Sequence, residues 1–107
     1  MRIEIRGRNV EVTDELRDSV HKRFARLSRQ VSELAILEVE LYEERNPSIA
    51  DKQVAEATLH LKGTTLRASE RSPEMLHSIH DLAEDMRREV KRHQTRRLVG
   101  RLKGREA

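Results

Sequence analysis

The chain has 107 residues, 36% hydrophobic and 38% charged, with a single Phe, a single Tyr and no Trp or Cys. This bounds it to one domain with a modest aliphatic core, and it excludes disulfide frameworks and thiolate metal sites. The net charge of +3 is unevenly spread: from Met86 onward nine bases face two acids, while the preceding residues sum to −4. A mildly acidic body with a concentrated basic end points to a polyanionic partner. No apolar run is long enough to span a bilayer and no signal-peptide pattern opens the chain, so the expectation is a soluble, cytoplasmic protein with no membrane partner.

Arg2 to Arg6 alternates polar and apolar residues, with Ile3 and Ile5 on one side, and reads as a short half-buried strand. Gly7-Arg8-Asn9 breaks it, after which Val10 and Val12 either extend the strand or pack over its end. Thr13 is the N-cap of a first helix, with Asp14 and Glu15 in its first turn. Leu16, Val20, Phe24, Leu27 and Val31 form one stripe. At about 100° per residue, Lys22, Arg26 and Arg29 fall on roughly the opposite side, with Arg23 on the flank.

Leu34 to Glu44 is a second strand, with Leu37, Val39 and Leu41 inward and Glu38 and Glu40 outward. The Asn46-Pro47-Ser48 segment is a loop. Lys52 to Lys62 is a third strand, with Ala55, Ala57, Leu59 and Leu61 inward and Glu56, Thr58 and His60 outward. Lys62-Gly63 makes a tight hairpin turn into a fourth strand, Thr64 to Arg71, with Leu66 and Ala68 inward.

Ser72 and Pro73 are suited to the N-cap and first position of a second helix. Met75, Leu76, Ile79, Leu82, Ala83, Met86 and Val90 line its apolar face. Its last turns carry Arg87, Arg88, Lys91, Arg92, Arg96 and Arg97, more cations than a helix C-terminus requires. Leu98 to Ala107 has two glycines and no sustained pattern, and reads as a basic flexible tail after a domain of residues 1–97.

The predicted order is β-α-β-β-β-α. The first and second strands run parallel through a right-handed crossover and the second to fourth form an antiparallel meander. Each strand has one apolar face and each helix one apolar stripe. The fold class is therefore α+β: a two-layer sandwich with a four-stranded mixed sheet and two helices on one face. The helices then turn basic faces outward, a surface that tracks phosphates; the blander reading is a solvated charged face. With 2% aromatics there is no stacking platform for single strands, and Glu4, Glu38, Glu40 and Glu56 on the outer sheet face repel phosphate. Basic helices in an α-β-β-β-α order are shared with double-stranded-RNA-binding domains, so structured RNA is favoured.

His77, His80, Asp81 and Glu84 share a helical face at spacing that gathers metal ligands, but H-x-x-H is a weak signal and nothing nearby supports chemistry. No metal or cofactor is expected. His93 either contacts phosphate or is a plain surface histidine. No P-loop, H-E-x-x-H or dinucleotide fingerprint is present. The expectation is a binding protein, neither an enzyme nor a receptor for a small-molecule substrate.

The opening IRGRNVEVTDELRDSVHKRFARL resembles the start of the ribosome hibernation promoting factors, also called ribosome-associated translation inhibitors. LRASERSPEML, followed by a helix ending RREVKRHQTR, resembles the second half of the same domain, so the likeness covers about Met1 to Arg97. It implies a β-α-β-β-β-α domain that sits in the mRNA and tRNA channel of the small ribosomal subunit, where basic residues of both helices contact rRNA. Matched by motif, those are Lys22, Arg23 and Arg26 in the first helix and Arg88, Lys91, Arg92 and His93 in the second. Charge alone adds Arg29, Arg87, Arg96 and Arg97.

The chain departs from the family at Leu76 and His80, where Tyr and Asp are common, and at Asp85, where Lys is common. Longer members carry a C-terminal domain that pairs two ribosomes. Nothing after Arg97 is that domain, so the expectation is a short member or the N-terminal part of a long one, with a homodimer possible only in the second case, through a C-terminal domain missing from this chain. Two other readings remain open. One is a protein-interaction module that docks through the uncovered sheet face or an edge strand. The other is a general binder of structured RNA.

Overall fold

The computed structural model describes the backbone of residues 1–106 and the side chains of residues 1–100. Four strands, β1 (Arg2–Arg8), β2 (Ile36–Glu43), β3 (Gln53–Leu61) and β4 (Thr64–Ser72), form one sheet in the order β1-β2-β3-β4. β1 and β2 are parallel, in register from Arg2↔Ile36 to Arg8↔Tyr42. β2 with β3 and β3 with β4 are antiparallel. Between β1 and β2 the chain crosses over through α1 (Asp14–Arg23) and α2 (Ala25–Ser28), and after β4 comes α3 (Met75–Glu106). The α+β class, the mixed sheet and the strand order are those the alternation predicts.

The core lies between sheet and helices. Leu37, Val39, Leu41, Ala55, Ala57 and Leu59 meet Val20, Phe24 and Leu27 from the first helical segment and Ile79, Leu82, Met86 and Val90 from α3. Ile3, Ile5, Leu66 and Ala68 complete its margin on the edge strands. Each fully buried Leu, Ile or Phe contributes roughly 1.5–3 kcal/mol by leaving water, so this one shared cluster fastens both helical ridges to the sheet.

β2 and β3 are trimmed by one or two residues at their ends relative to the sequence reading, and larger differences fall at the end of β1, within the first helix and at both ends of α3. β1 does not stop at Arg6: pairing continues through Gly7↔Leu41 and Arg8↔Tyr42, and the break comes at Asn9, whose φ is 58°. Asn tolerates the left-handed region better than other non-glycine residues. Gly7 stays in the strand because Val12 packs over it, and a Cβ there would stand 2.5 Å from the Val10 carbonyl oxygen. The first helix is interrupted at Phe24 (φ −93°, ψ 3°), which separates α1 from the short α2. No Gly or Pro marks that interruption; Phe24 and Leu27 are both fully buried across it.

The start of α3 is shifted too. β4 keeps Ser72, and the helix begins at Met75, after Pro73 and Glu74. Ser72 still serves the helix start, since its hydroxyl accepts from the Glu74 N–H at 3.2 Å. It is also buried and lies 2.7 Å from Ser78 Oγ, which donates to the Gln53 carbonyl at 2.6 Å. This polar clasp fixes the entry of α3 over β3.

At the other end, the backbone continues as helix through residues 98–106, where the sequence pattern ends at Arg97. Arg, Leu and Lys are good helix formers, and extending a helix already nucleated by packing is cheap. The side chains beyond residue 100, and Ala107 altogether, lie outside the described residues, as does the flexibility assigned to that tail. Thr13 caps α1 as expected, accepting from the Leu16 N–H at 3.2 Å. The β3–β4 turn is Lys62-Gly63, with Gly63 at φ 79°.

Candidate nucleic-acid interface

The predicted bases occupy the helical side of the molecule. Lys22 and Arg23 end α1, Arg26 lies in α2, and Arg29 caps the C-terminus of α2; all are exposed. This placement follows from the stripe: once Val20, Phe24 and Leu27 are buried, the intervening positions face water. α1 packs against α3, so the two basic ridges belong to one layer.

On α3 the bases fall in two zones. Arg87 is partly covered and Arg88 exposed, on the stretch still anchored by Met86 and Val90. Past Val90 the helix makes no further contribution to the buried core among the described residues. Lys91, Arg92, Arg96 and Arg97 are exposed and only His93 is partly covered. Gln94 is a tether on this stretch: its side-chain amide donates to the Gln30 carbonyl at 3.1 Å and joins α3 to the chain just past α2. Beside that tether lies an open groove of about 580 Å³, lined by Gln30, Glu84, Arg87, Arg88, Lys91 and Gln94. The structure thus gathers Arg87, Arg88 and Lys91 around one concavity. Lys22, Arg23, Arg26, Arg29, Arg92, His93, Arg96 and Arg97 do not line it.

Sequence reasoning missed how the α3 arginines are paired. Arg87 donates to Glu84 at 2.9 Å, Arg88 to Asp85 at 2.8 Å and Arg92 to Glu89 at 2.9 Å. The i,i+3 spacing was legible in the sequence as the signal for this. Asp85 also faces Glu70 on β4. Glu70 is pushed up to about 7, first by its hydrogen bond to Asp85, then by burial and the negative charges of Asp85 and Asp81. Asp85 is correspondingly held below the usual carboxylate range by the Glu70 hydrogen bond and by Arg88. Below about pH 7, then, Glu70 is the protonated member of this pair.

The histidine face of α3 is taken up internally. His77 Nε2 lies 3.1 Å from Asp81 Oδ2 and His80 Nδ1 lies 3.4 Å from Asp81 Oδ1, while Glu84 turns to Arg87. Among the described residues no group of three or more His, Asp or Glu side chains is arranged to hold a metal ion.

The outer sheet face needs a correction. Its glutamates are where the alternation puts them, but the face is not a uniformly acidic shield. Arg6 and Arg8 both pair with Glu40, at 2.9 and 3.3 Å, and Arg2 pairs with Glu4 at 3.1 Å. Register places Arg67 beside Thr58 and Arg71 beside Val54 on the opposite edge. The Arg8 guanidinium lies 4.3 Å from the centroid of the Tyr42 ring, and the Tyr42 hydroxyl donates to Glu56 at 2.9 Å. Burial, then that bond, raises the Tyr42 phenol. Acids and bases therefore alternate across this face and largely cancel. The helical side carries the larger set of bases outside any ion pair among the described residues: Lys22, Arg23, Arg26, Arg29, Lys91, Arg96 and Arg97.

Comparison with known proteins bears on what that surface meets. Residues 3–98 match the family model described as Sigma 54 modulation protein / S30EA ribosomal protein. The chain is 33% identical over 93 residues to a ribosome hibernation promoting factor of Salmonella typhimurium, covering 87% of this chain and 93% of that one. It is 31% identical over 100 residues to the ribosome hibernation promotion factor of Lactococcus lactis. That match covers 90% of this chain and spans about half, 51%, of the Lactococcus protein. Among solved structures, the Thermus thermophilus Protein Y N-terminal domain superposes with a TM-score of 0.74 at 31% identity, covering 87% of this chain and 99% of that domain. Proteins so named act by binding rather than by catalysis. The chain belongs to the Sigma 54 modulation protein / S30EA ribosomal protein family.

Proposed function

We propose that this protein is a ribosome hibernation factor that inhibits translation by binding the small ribosomal subunit. The basic faces of α1, α2 and α3 contact rRNA, and the domain occupies the channel that mRNA and tRNA use. The observation that carries this reading is the charge asymmetry of the two sides. Lys22, Arg23, Arg26, Arg29, Lys91, Arg96 and Arg97 have no carboxylate within 4.0 Å among the described residues, whereas on the outer sheet face Arg2, Arg6 and Arg8 are paired with Glu4 and Glu40 and Arg67 and Arg71 are left unpaired. Unpaired bases release counterions on meeting phosphates, which is the dominant sequence-independent term in nucleic-acid affinity. The relatives' names supply the ribosome and the hibernating state; the site of action is then the cytoplasm.

Occlusion needs no chemistry. A rigid domain whose helical layer adheres to rRNA excludes other ligands from the space it fills. The test is sedimentation of the protein with purified small subunits at low and moderate salt, with mRNA and tRNA as competitors. Co-sedimentation at low salt that falls with salt and with competitor is expected. Absence from the pellet at low salt, or indifference to both competitors, refutes the reading.

A further inference from the structure

Three acids on α3 stand one turn ahead of three of its arginines, and each holds one: Glu84 holds Arg87, Asp85 holds Arg88, Glu89 holds Arg92. The pairing is selective. No base of α1 or α2, and neither Lys91, Arg96 nor Arg97, has such a partner among the described residues. Pairs at i,i+3 can simply stabilise a helix. Here the paired stretch is already fastened to the sheet through Ala83, Met86 and Val90, so the helix does not depend on them. Their electrostatic effect is unavoidable, however. A phosphate approaching Arg87, Arg88 or Arg92 must displace a carboxylate or lie beside one. Asp85 is held below the usual carboxylate range by the Glu70 hydrogen bond and by Arg88.

We propose that Glu84, Asp85 and Glu89 are selectivity residues that suppress binding of arbitrary RNA by keeping three arginines of the groove-side ridge in internal pairs. This rests on the reading of α3 as an RNA-contacting element. Loose or generic RNA then meets only the unpaired bases. An RNA surface that engages both ridges at once has enough contacts to draw the paired arginines in as well.

The test uses a triple variant, Glu84→Gln with Asp85→Asn and Glu89→Gln. It is compared with a charge-matched control, Glu11→Gln with Asp18→Asn and Glu33→Gln, whose acids are exposed and outside any ion pair among the described residues. Affinity for a labelled duplex RNA of arbitrary sequence is measured across a salt series, with circular dichroism to confirm folding. The triple variant is expected to bind the duplex about tenfold more tightly than the control, since an exposed pair restrains its arginine by up to a fewfold. Its log–log salt slope steepens by up to about 2.7, for three freed contacts at roughly 0.9 each. A triple variant indistinguishable from the control overturns the proposal. Small-subunit binding by the unsubstituted protein is scored separately: its absence, with the duplex effect present, removes the ribosomal reading and leaves the selectivity role standing.

Discussion

Reversing charge at Lys91 and Arg92 puts a number on the proposed interface. Lys22, Arg23, Arg26, Arg29, Lys91, Arg96 and Arg97 are free of carboxylate partners among the described residues. If each meets one phosphate, the slope of log affinity against log salt is about −6, and raising salt from about 50 to 200 mM costs on the order of 10³–10⁴ in affinity. Lys91→Glu with Arg92→Glu removes the free ammonium of Lys91, removes the guanidinium that Glu89 holds at 2.9 Å, and adds two negative charges. The salt slope should fall by about one to two and affinity for small subunits by roughly 10–100-fold near 0.1 M salt.

The fold should scarcely notice. Both positions are exposed, and the new like-charge spacing to Glu89 costs the helix only about 0.2–0.5 kcal/mol. That is small against a typical stability of about 5–15 kcal/mol. The assay is fluorescence anisotropy of labelled protein titrated with purified small subunits at several salt concentrations, alongside a thermal melt. A folded variant whose affinity and slope match the unsubstituted protein refutes the reasoning, because the charge at the free end of α3 would then be irrelevant to binding.

Two further outcomes are expected. Gly7→Ala should destabilise the domain by about 1–3 kcal/mol in chemical denaturation, because the new methyl would stand 2.5 Å from the Val10 carbonyl oxygen and 2.8 Å from Val12 Cγ2, and a backbone oxygen has little room to yield; an unchanged denaturation midpoint refutes this. Glu70 holds its proton up to about 7 in the fold against an ordinary 4.5, so its stabilising effect is full below 4.5 and is lost as pH rises through 7. Asp85, lowered from its ordinary 3.8, contributes the opposite dependence below that pH. The melting temperature should therefore fall between about pH 5 and pH 8, and Glu70→Gln should flatten that fall; the same slope in both proteins refutes the proton held on Glu70.

Much of the fold was legible because its signals are local. Alternation at Leu37, Val39 and Leu41, the Thr13 cap and Gly63 in the hairpin turn each depend on a few neighbouring residues, and each is found where the pattern puts it. The boundaries that differ depend on distant ones. β1 runs on to Arg8 because β2 offers it partners, and the helix breaks at Phe24 within a stripe that continues unbroken in the sequence. Likewise, Ser72 belongs to β4 because Gln53 pairs with it across the sheet.

The site divides in the same way. The sequence by itself determined where positive charge is stored, because helical periodicity assigns Lys22, Arg26 and the bases of α3 to the water-facing side once the apolar stripe is known. It also carried the resemblance to the family. Only the tertiary structure decided how much of that charge is available. The i,i+3 spacing already signals the pairs that Arg87, Arg88 and Arg92 make with acids one turn away, but Arg6 and Arg8 reach Glu40 only because β1 pairs with β2. Glu70 meets Asp85 only because β4 and α3 pack together. Charge is a property of residues one at a time, but its availability depends on distances between side chains, and folding sets those distances.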